Sequence, residues 1–190
     1  MKSVLISTRP KLVEKICHKI GEDETGKAIY EKRIEVRKTA PKEVPFKCYI
    51  YETKGQYVKF THGAHTKYGY GRGKVIGEFI CDKVYSIKNQ GSRFSVADEE
   101  QRVTNEIACQ SCLDYDDMVS YLGNKDGYGW HISDLKIYDE PKALSCFYKQ
   151  CPKNTTCSTC DWLHVDWYTF GECSNTVTRP PQSYMFVQEA

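Results

Sequence analysis

Glu35 and Arg37 are the residues whose types and spacing most clearly suggest chemistry. They lie two positions apart within residues 30–38, where alternation and the prolines that follow predict a β-strand. Side chains alternate along a strand, so both should point to one face. A guanidinium there can bind a phosphate or a base edge, and a carboxylate can orient it or accept from an exocyclic amine. Lys38 and Arg9 add cations to this candidate binding site, although a purely structural salt bridge is the alternative.

Aromatic residues form two further candidate contact regions. Trp130 offers a flat face for stacking and His131 can donate or accept near neutral pH. A packed indole and a hydrogen-bonded imidazole are the structural alternative. Residues 62–72 place Tyr68 and Tyr70 among glycines and basic residues in a predicted exposed loop, a composition that suits single-stranded nucleic acid. The alternative is that these tyrosines pack over the core.

The late cysteines predict a metal site. Cys157 and Cys160 form a Cys-x-x-Cys pair, whose two thiolates can reach one tetrahedral zinc, and Cys151 and Cys173 are natural third and fourth ligands. A closed four-thiolate site would be structural because no position remains for water. Free thiols and a disulfide are the alternatives. The remaining candidate ligands are Cys146, His164 and the second close pair, Cys109 and Cys112.

Length and charge exclude several classes of protein. The 190 residues, 40% hydrophobic and 27% charged, predict one folded domain spanning 1–190, with a cysteine-rich insertion at 146–173. Neither a secretory signal nor a membrane-length apolar run is visible, which favours a cytoplasmic protein without membrane contact. The net charge of +2 divides unevenly: residues 1–90 carry 19 − 10 = +9 and residues 91–190 carry 8 − 15 = −7. The basic half suits a phosphate-bearing partner.

The elements that must position these residues follow from periodicity and from turn residues. Strands are predicted at 2–7, 30–38, 46–53, 74–87, 130–138 and 183–188. A helix should begin after Thr8, with Pro10 in its first turn, and end at Gly21. A second helix should start at Asp114 to Asp117. This mixture, without strict β-α-β alternation, predicts an α+β protein with a mixed sheet or small barrel and packed helices.

Several segments together resemble the ASCH domain of the PUA-like superfamily, in the form found among phage and prophage proteins. The matching segments, in order along nearly the whole chain, are SVLISTRPKLVEKI, IEVRKTAP, YIYET, GKVIGEF, WHISDLKIYDEPKAL and TRPPQSYMFV. The resemblance implies a small mixed β-barrel whose cleft binds RNA or modified bases. It also implies a bacterial host cell as the location of the protein.

The resemblance adds Lys32 to the candidate site. Relatives carry a Gly-x-Lys-Thr-x-Glu-x-Arg stretch, in which Lys32, Glu35 and Arg37 match, but Arg33 stands where the threonine would be. In a similar bacterial enzyme, an acetylcytidine amidohydrolase, that lysine and threonine are thought to be catalytic. Because the hydroxyl is lost here, the sequence favours a binding module over an enzyme.

Three functions therefore remain open. The leading hypothesis is an RNA- or nucleotide-binding module with a cleft lined by seven residues: Arg9, Lys32, Glu35, Arg37, Lys38, Trp130 and His131. The second is an amidohydrolase or ribonuclease acting on a modified nucleoside or RNA, with Lys32 and Glu35 as candidate catalytic residues. The third is a phage protein that binds a host factor through its acidic, cysteine-rich half.

The predicted zinc site can be tested by elemental analysis. We expect about one zinc ion per chain in protein purified without chelators, since four thiolates saturate a structural zinc ion. The double substitution Cys157→Ser with Cys160→Ser should release the metal, whereas Cys17→Ala should retain it. Metal-free protein in which all ten thiols are titratable would contradict the zinc assignment.

Overall fold

A computed structural model describes residues 1–62, 65–89, 94–97, 109–149 and 175–189. Within these ranges the secondary structure is dominated by strands, with two short α-helices and one 3-10 turn at Leu144–Cys146. In chain order the elements are β1 (Ser3–Thr8), α1 (Pro10–Cys17), β2 (Lys19–Glu22), β3 (Ala28–Tyr30), β4 (Ile34–Arg37), β5 (Phe46–Glu52), β6 (Gly55–His62), β7 (His65–Gly71), β8 (Val75–Cys81), β9 (Val84–Asn89), β10 (Phe94–Ala97), α2 (Tyr115–Leu122), β11 (Gly127–His131), β12 (Ser133–Lys142), β13 (Phe147–Lys149) and β14 (Tyr184–Glu189).

The strands form two main sheets. The larger has the order β12-β8-β5-β1-β14-β13, in which β1 and β5 run parallel and the other neighbours are antiparallel. The smaller has the order β10-β9-β11-β4 and is antiparallel throughout. The mixed α+β architecture is as predicted. The described strands do not close into one barrel, because no ladder among them joins the edges of the two sheets.

The two sheets share one core. Trp130 on β11 packs edge-on against Phe46 of β5 and Tyr184 of β14, with ring centroids 5.0 and 5.5 Å apart. α1 adds Val13 and Ile16 to the same cluster. Strand β5 is also buried on its other face, where Tyr49 and Tyr51 belong to a second apolar cluster. This double burial explains why the aromatic segment 46–53 reads so clearly as a strand.

Both helices begin near their predicted positions, but for different reasons. Asp114 caps α2 by accepting from the backbone N–H of Asp117 at 2.7 Å, as predicted. In α1, Pro10 occupies the first turn, but the residue before the helix is Arg9, which makes no capping bond, and Thr8 ends β1. The helix ends at Cys17 and not at Gly21, so the exposed Ile20 lies in β2.

Two hairpins lie where the sequence predicted no pair of strands. β2 and β3 pair around a turn in which the Asp23 carboxylate accepts from the N–H of Thr25 and of Lys27, while Gly26 takes a φ of 80°. β6 and β7 pair over 55–71, where the sequence predicted an exposed loop at 62–72. Frequent glycines and charges weaken the alternation that identifies strands.

The first residues of the predicted insertion at 146–173 belong to the larger sheet, because β13 covers Phe147–Lys149. The cysteines at 151, 157, 160 and 173 lie outside the described residues, whereas β13 and residues 175–177 are described and bonded to each other. Lys149 donates its N–H to the Asn175 carbonyl at 2.8 Å, and Val177 donates to the Phe147 carbonyl at 2.8 Å. A segment whose ends are hydrogen-bonded neighbours can be added without disturbing the sheet. The insertion and the single-domain organisation stay predictions.

One observation bears on the predicted absence of membrane contact. Within the described ranges, no helix is long and apolar enough to cross a bilayer.

Candidate functional site

Three charged side chains are buried together beside strand β4. Lys32 is fully buried, and Glu35 and Arg37 are each only 3% exposed. Glu35 and Arg37 share a face of β4, as alternation predicts, and Arg37 Nη2 donates to Glu35 Oε1 at 2.6 Å. Buried charges are costly unless they are paired and hydrogen-bonded, so this cluster must be held by its surroundings.

Arg37 connects β4 to the larger sheet. Its Nη2 donates to the Ser7 carbonyl at 2.9 Å and to the Thr8 hydroxyl at 3.3 Å, both at the end of β1. Its Nη1 donates to the carbonyl of Ser183, just before β14, at 3.3 Å. One guanidinium therefore links the two sheets at the place where β1 passes into α1.

Lys32 is held by backbone carbonyls and by Glu35. Its Nζ donates to the Ile34 carbonyl at 2.7 Å and to the Ser111 carbonyl at 2.5 Å, and it lies 3.5 Å from Glu35 Oε2. Burial lowers the pKa of the Lys32 ammonium, and the Glu35 carboxylate opposes that shift. The Ser111 bond ties the segment before α2 to the charged cluster.

Glu35 retains one unsatisfied oxygen. Its Oε2 is buried and has no hydrogen-bond partner among the described residues, since 3.5 Å to Lys32 is an ion-pair distance beyond the usual hydrogen-bond range. A buried acceptor without a hydrogen bond costs about 1–3 kcal/mol, and the ion pair with Lys32 offsets part of that cost. An acceptor of this kind beside a cavity is suited to a ligand that donates.

A cavity of about 240 Å³ lies against this cluster. Asp117 and Tyr121 are four positions apart on α2, so one helix face carries both toward it. The wall combines the three buried charges with hydroxyl groups and apolar side chains. The full lining is Ser7, Thr8, Arg9, Leu12, Lys32, Glu35, Val36, Arg37, Leu113, Asp117, Tyr121 and Gln182.

The structure brings together four of the seven residues predicted to line the cleft. Arg9, Lys32, Glu35 and Arg37 line the cavity, and Lys38 lies next to it, with its Nζ 5.3 Å from the centre of the Tyr121 ring. The backbone hydrogen bonds of β4 and the burial of its four residues fix this arrangement.

Trp130 and His131 lie elsewhere. Trp130 is fully buried in the core between the two sheets, which is the structural alternative recognised from the sequence. His131 Nδ1 lies 2.7 Å from Asp82 Oδ1 and borders a different cavity. Neither side chain lines the cavity at Glu35, because strand alternation sends Trp130 inward toward Phe46.

Position 33 does not contribute a side chain to the cavity at Glu35. Arg33 borders the cavity near His131 and not the one at Glu35. The buried Thr8 hydroxyl instead enters the Glu35 site, 3.3 Å from Arg37 Nη2. Sequence reasoning assigned Thr8 to a helix cap and missed it, as it missed Asp117 and Tyr121.

The described part of the chain neither confirms nor contradicts the zinc prediction. Among the cysteines in it, Cys109 is exposed, Cys112 and Cys146 are half-buried, and none forms a disulfide. No group of three or more potential metal ligands occurs within the described residues, and the four predicted ligands lie outside them. Zinc therefore stays a prediction.

Two solved structures are similar to this chain, both of the ASCH protein from Zymomonas mobilis. One, of a point mutant, is 14% identical with a TM-score of 0.49, covering 99% of this chain and 91% of that one. The other is 15% identical with a TM-score of 0.49, covering 98% and 88%. No family model matches the chain, and no curated protein matches it in sequence. The function must therefore be argued from the side chains of the site.

The lowered pKa of Lys32 predicts a pH dependence of stability. Below its usual pKa of 10.5, the unfolded chain keeps a proton on Lys32 that the folded protein releases earlier. In that window the free energy of unfolding rises with pH because the unfolded state binds more protons. We expect the stability of the wild type relative to Lys32→Met, measured by urea unfolding, to increase as the pH rises toward 10.5.

The exposed Lys11→Met supplies the matched control for loss of one lysine. The difference measured with Lys32→Met should exceed the one measured with this variant, because Lys32 is buried and Lys11 is exposed. A wild type that loses stability relative to Lys32→Met as the pH rises would contradict the assigned direction of the shift.

Proposed function

We propose that the chain is an RNA- or nucleotide-binding module in which the cavity at Glu35 holds a single base or nucleoside. The observation that carries the proposal is the buried Glu35 carboxylate in the wall of that cavity, whose Oε2 lies 3.5 Å from the Lys32 ammonium and has no hydrogen-bond partner among the described residues. An ionised carboxylate only accepts hydrogen bonds, so the ligand has to present a donor. The exocyclic amines of cytosine and adenine are donors of this kind.

The size of the cavity supports a small ligand. Pockets for drug-sized molecules enclose about 300–1,000 Å³, and this cavity, at about 240 Å³, lies just below that range. A single base or nucleoside is compatible with such a volume, whereas a duplex could reach the site only with an extruded base.

The polar groups of the cavity wall also suit a base edge. Arg37 Nε is buried and has no hydrogen-bond partner among the described residues, so a donor lies on the same side chain that binds Glu35. Base edges present donors and acceptors side by side. Leu12, Val36 and Tyr121 supply apolar surface for the faces of a ring.

Charge at the entrance favours a phosphate. Arg9 is exposed and lines the cavity, and Lys38 is exposed beside Tyr121. The basic first half of the chain, with its excess of nine positive charges, adds a longer-range attraction for polyanions. These features support a nucleotide over an uncharged metabolite of similar size.

Calorimetric titration with mononucleotides tests the proposal. We expect cytidine and adenosine monophosphates to bind more tightly than uridine monophosphate, which offers a carbonyl in place of the amine. Glu35→Gln should weaken the binding of cytidine monophosphate at least about tenfold, because a charge-assisted hydrogen bond is lost. Arg9→Ala should weaken the monophosphate while leaving cytidine itself nearly unchanged.

Glu43→Gln provides the control, since Glu43 is exposed and pairs with Lys2 at the surface. The Arg9→Ala comparison remains informative even if Glu35→Gln impairs folding. Failure of every nucleotide and of RNA to bind at low salt would sink the proposal.

A hydrolase acting on a modified nucleoside is the second candidate. The observation that favours it is the fully buried Lys32, with a lowered pKa, 3.5 Å from Glu35 Oε2. Water would add to the acyl carbonyl of an acylated cytidine, and cleavage of the C–N bond would release cytidine and the acid.

Chromatographic detection of cytidine tests this second candidate. If the chain is a hydrolase, incubation with N4-acetylcytidine should yield cytidine and acetate, and Lys32→Met should abolish the yield. Turnover that survives Lys32→Met would refute the role of Lys32. The absence of any turnover, with binding retained, would leave the binding module as the function.

A further inference from the structure

The β6–β7 hairpin presents two different faces. Its register places Tyr70 opposite Gln56 and Tyr68 opposite Val58, and directly opposed side chains of an antiparallel pair project to the same side. These four side chains therefore form one face, which we call the outer face. Tyr57, Gly69 and Gly71 belong to the opposite, inner face.

Packing explains the glycines of the inner face. A Cβ at Gly71 would lie 1.9 Å from the Thr53 carbonyl oxygen and 2.5 Å from Pro10 Cγ. A Cβ at Gly69 would lie 2.4 Å from the Tyr57 ring. Close packing of the inner face therefore accounts for both glycines. A side chain at Gly71 would collide with Pro10 and the Thr53 backbone, and one at Gly69 would collide with the Tyr57 ring.

Packing does not explain the tyrosines of the outer face. Tyr70 is 72% exposed, Tyr68 is 49% exposed and Val58 is equally exposed. Exposed aromatic surface contributes little to folding, since apolar groups stabilise a fold by leaving water. Adjacent exposed rings on a two-stranded ribbon are a stacking platform for bases, which all have π-faces.

The charge of the hairpin identifies the class of partner. Residues 53–74 contain five Lys or Arg residues and no Asp or Glu. Lys59 lies 3.3 Å from Glu14 and Arg72 lies 3.8 Å from Glu52, whereas Lys54 and Lys74 are exposed. A local excess of positive charge remains, which favours a polyanion and disfavours a basic or purely apolar protein surface.

The hairpin is also continuous with the cavity at Glu35. Gly71 lies against Pro10, and the next residue toward the N-terminus, Arg9, lines the cavity. Since Tyr70 is on the outer face, a strand of nucleic acid with one base in the cavity would pass Arg9 and then turn around the edge of the hairpin to reach this ring.

We infer that the outer face of the hairpin stacks bases of a single-stranded RNA, one nucleotide of which occupies the cavity. The inference rests on the proposed function for the nucleotide in the cavity. The hairpin itself contributes aromatic and electrostatic contacts that do not depend on base identity. Affinity should therefore increase with the length of the RNA, while base preference should come from the cavity.

Fluorescence anisotropy with labelled decacytidylate, compared with calorimetry of cytidine monophosphate, tests the inference. We expect the double variant Tyr68→Ala with Tyr70→Ala to bind the decamer at least about fivefold more weakly, the lower limit for loss of one stacked base. Its affinity for the monophosphate should stay within about twofold of the wild type. The matched double variant with Phe at both positions should retain decamer binding, since the rings remain.

Ile20→Ala, which removes an exposed apolar side chain from the β2–β3 hairpin, should leave both affinities unchanged. A Tyr-to-Ala double variant that binds the decamer as tightly as the wild type overturns the inference. Binding of the monophosphate without any gain for the decamer also overturns it, but leaves the proposed function intact. If the wild type binds neither the decamer nor the monophosphate, both the inference and the proposed function are overturned. If the wild type captures one protein in the absence of RNA, and the double Ala variant does not, the outer face binds a protein. That result would overturn the RNA assignment.

Discussion

The buried ionic cluster of Lys32, Glu35 and Arg37 is the interaction on which the rest of the structure depends. Lys32 donates to the segment before α2, and Arg37 donates to the end of β1 and to the segment before β14, so the two cations beside the Glu35 carboxylate join elements distant in sequence. Removing one member of a buried ion pair costs about 3–5 kcal/mol because the other charge is left uncompensated. The cluster therefore imposes a strict geometry on its surroundings, and that geometry defines the cavity.

Not every hydrogen-bonding group of the cluster has a partner among the described residues, and the proposed function rests on these groups. Two positive charges and one negative charge are buried together, yet Glu35 Oε2 and Arg37 Nε have no hydrogen-bond partner within the described residues. A purely structural network gains stability when every member is bonded. Under the proposed function, a ligand in the small cavity beside these groups, with Arg9 at its edge, would supply both a donor and an acceptor. The hairpin next to Arg9 extends the same basic surface.

Much of the architecture could be predicted from the sequence, and the misses have physical causes. The segments 2–7, 46–53 and 183–188 are strands because apolar and aromatic residues dominate them, and Asp114 caps its helix through a local bond. The pairing of Glu35 with Arg37 follows from alternation alone. Thr8 and Tyr121 join the site only through tertiary packing, which no local pattern encodes. The Trp130 side chain is equally suited to stacking on a base and to packing in a core, and in the structure it is buried in the core between the two sheets.

A crystal structure of the protein with cytidine monophosphate would test most directly whether the buried cluster forms a base-binding site. The expected result is a cytosine in the cavity, with its exocyclic nitrogen within about 3.2 Å of Glu35 Oε2 and its phosphate facing Arg9. A nucleotide bound elsewhere, with the cavity filled by water, would contradict the proposed role of the Lys32, Glu35 and Arg37 cluster.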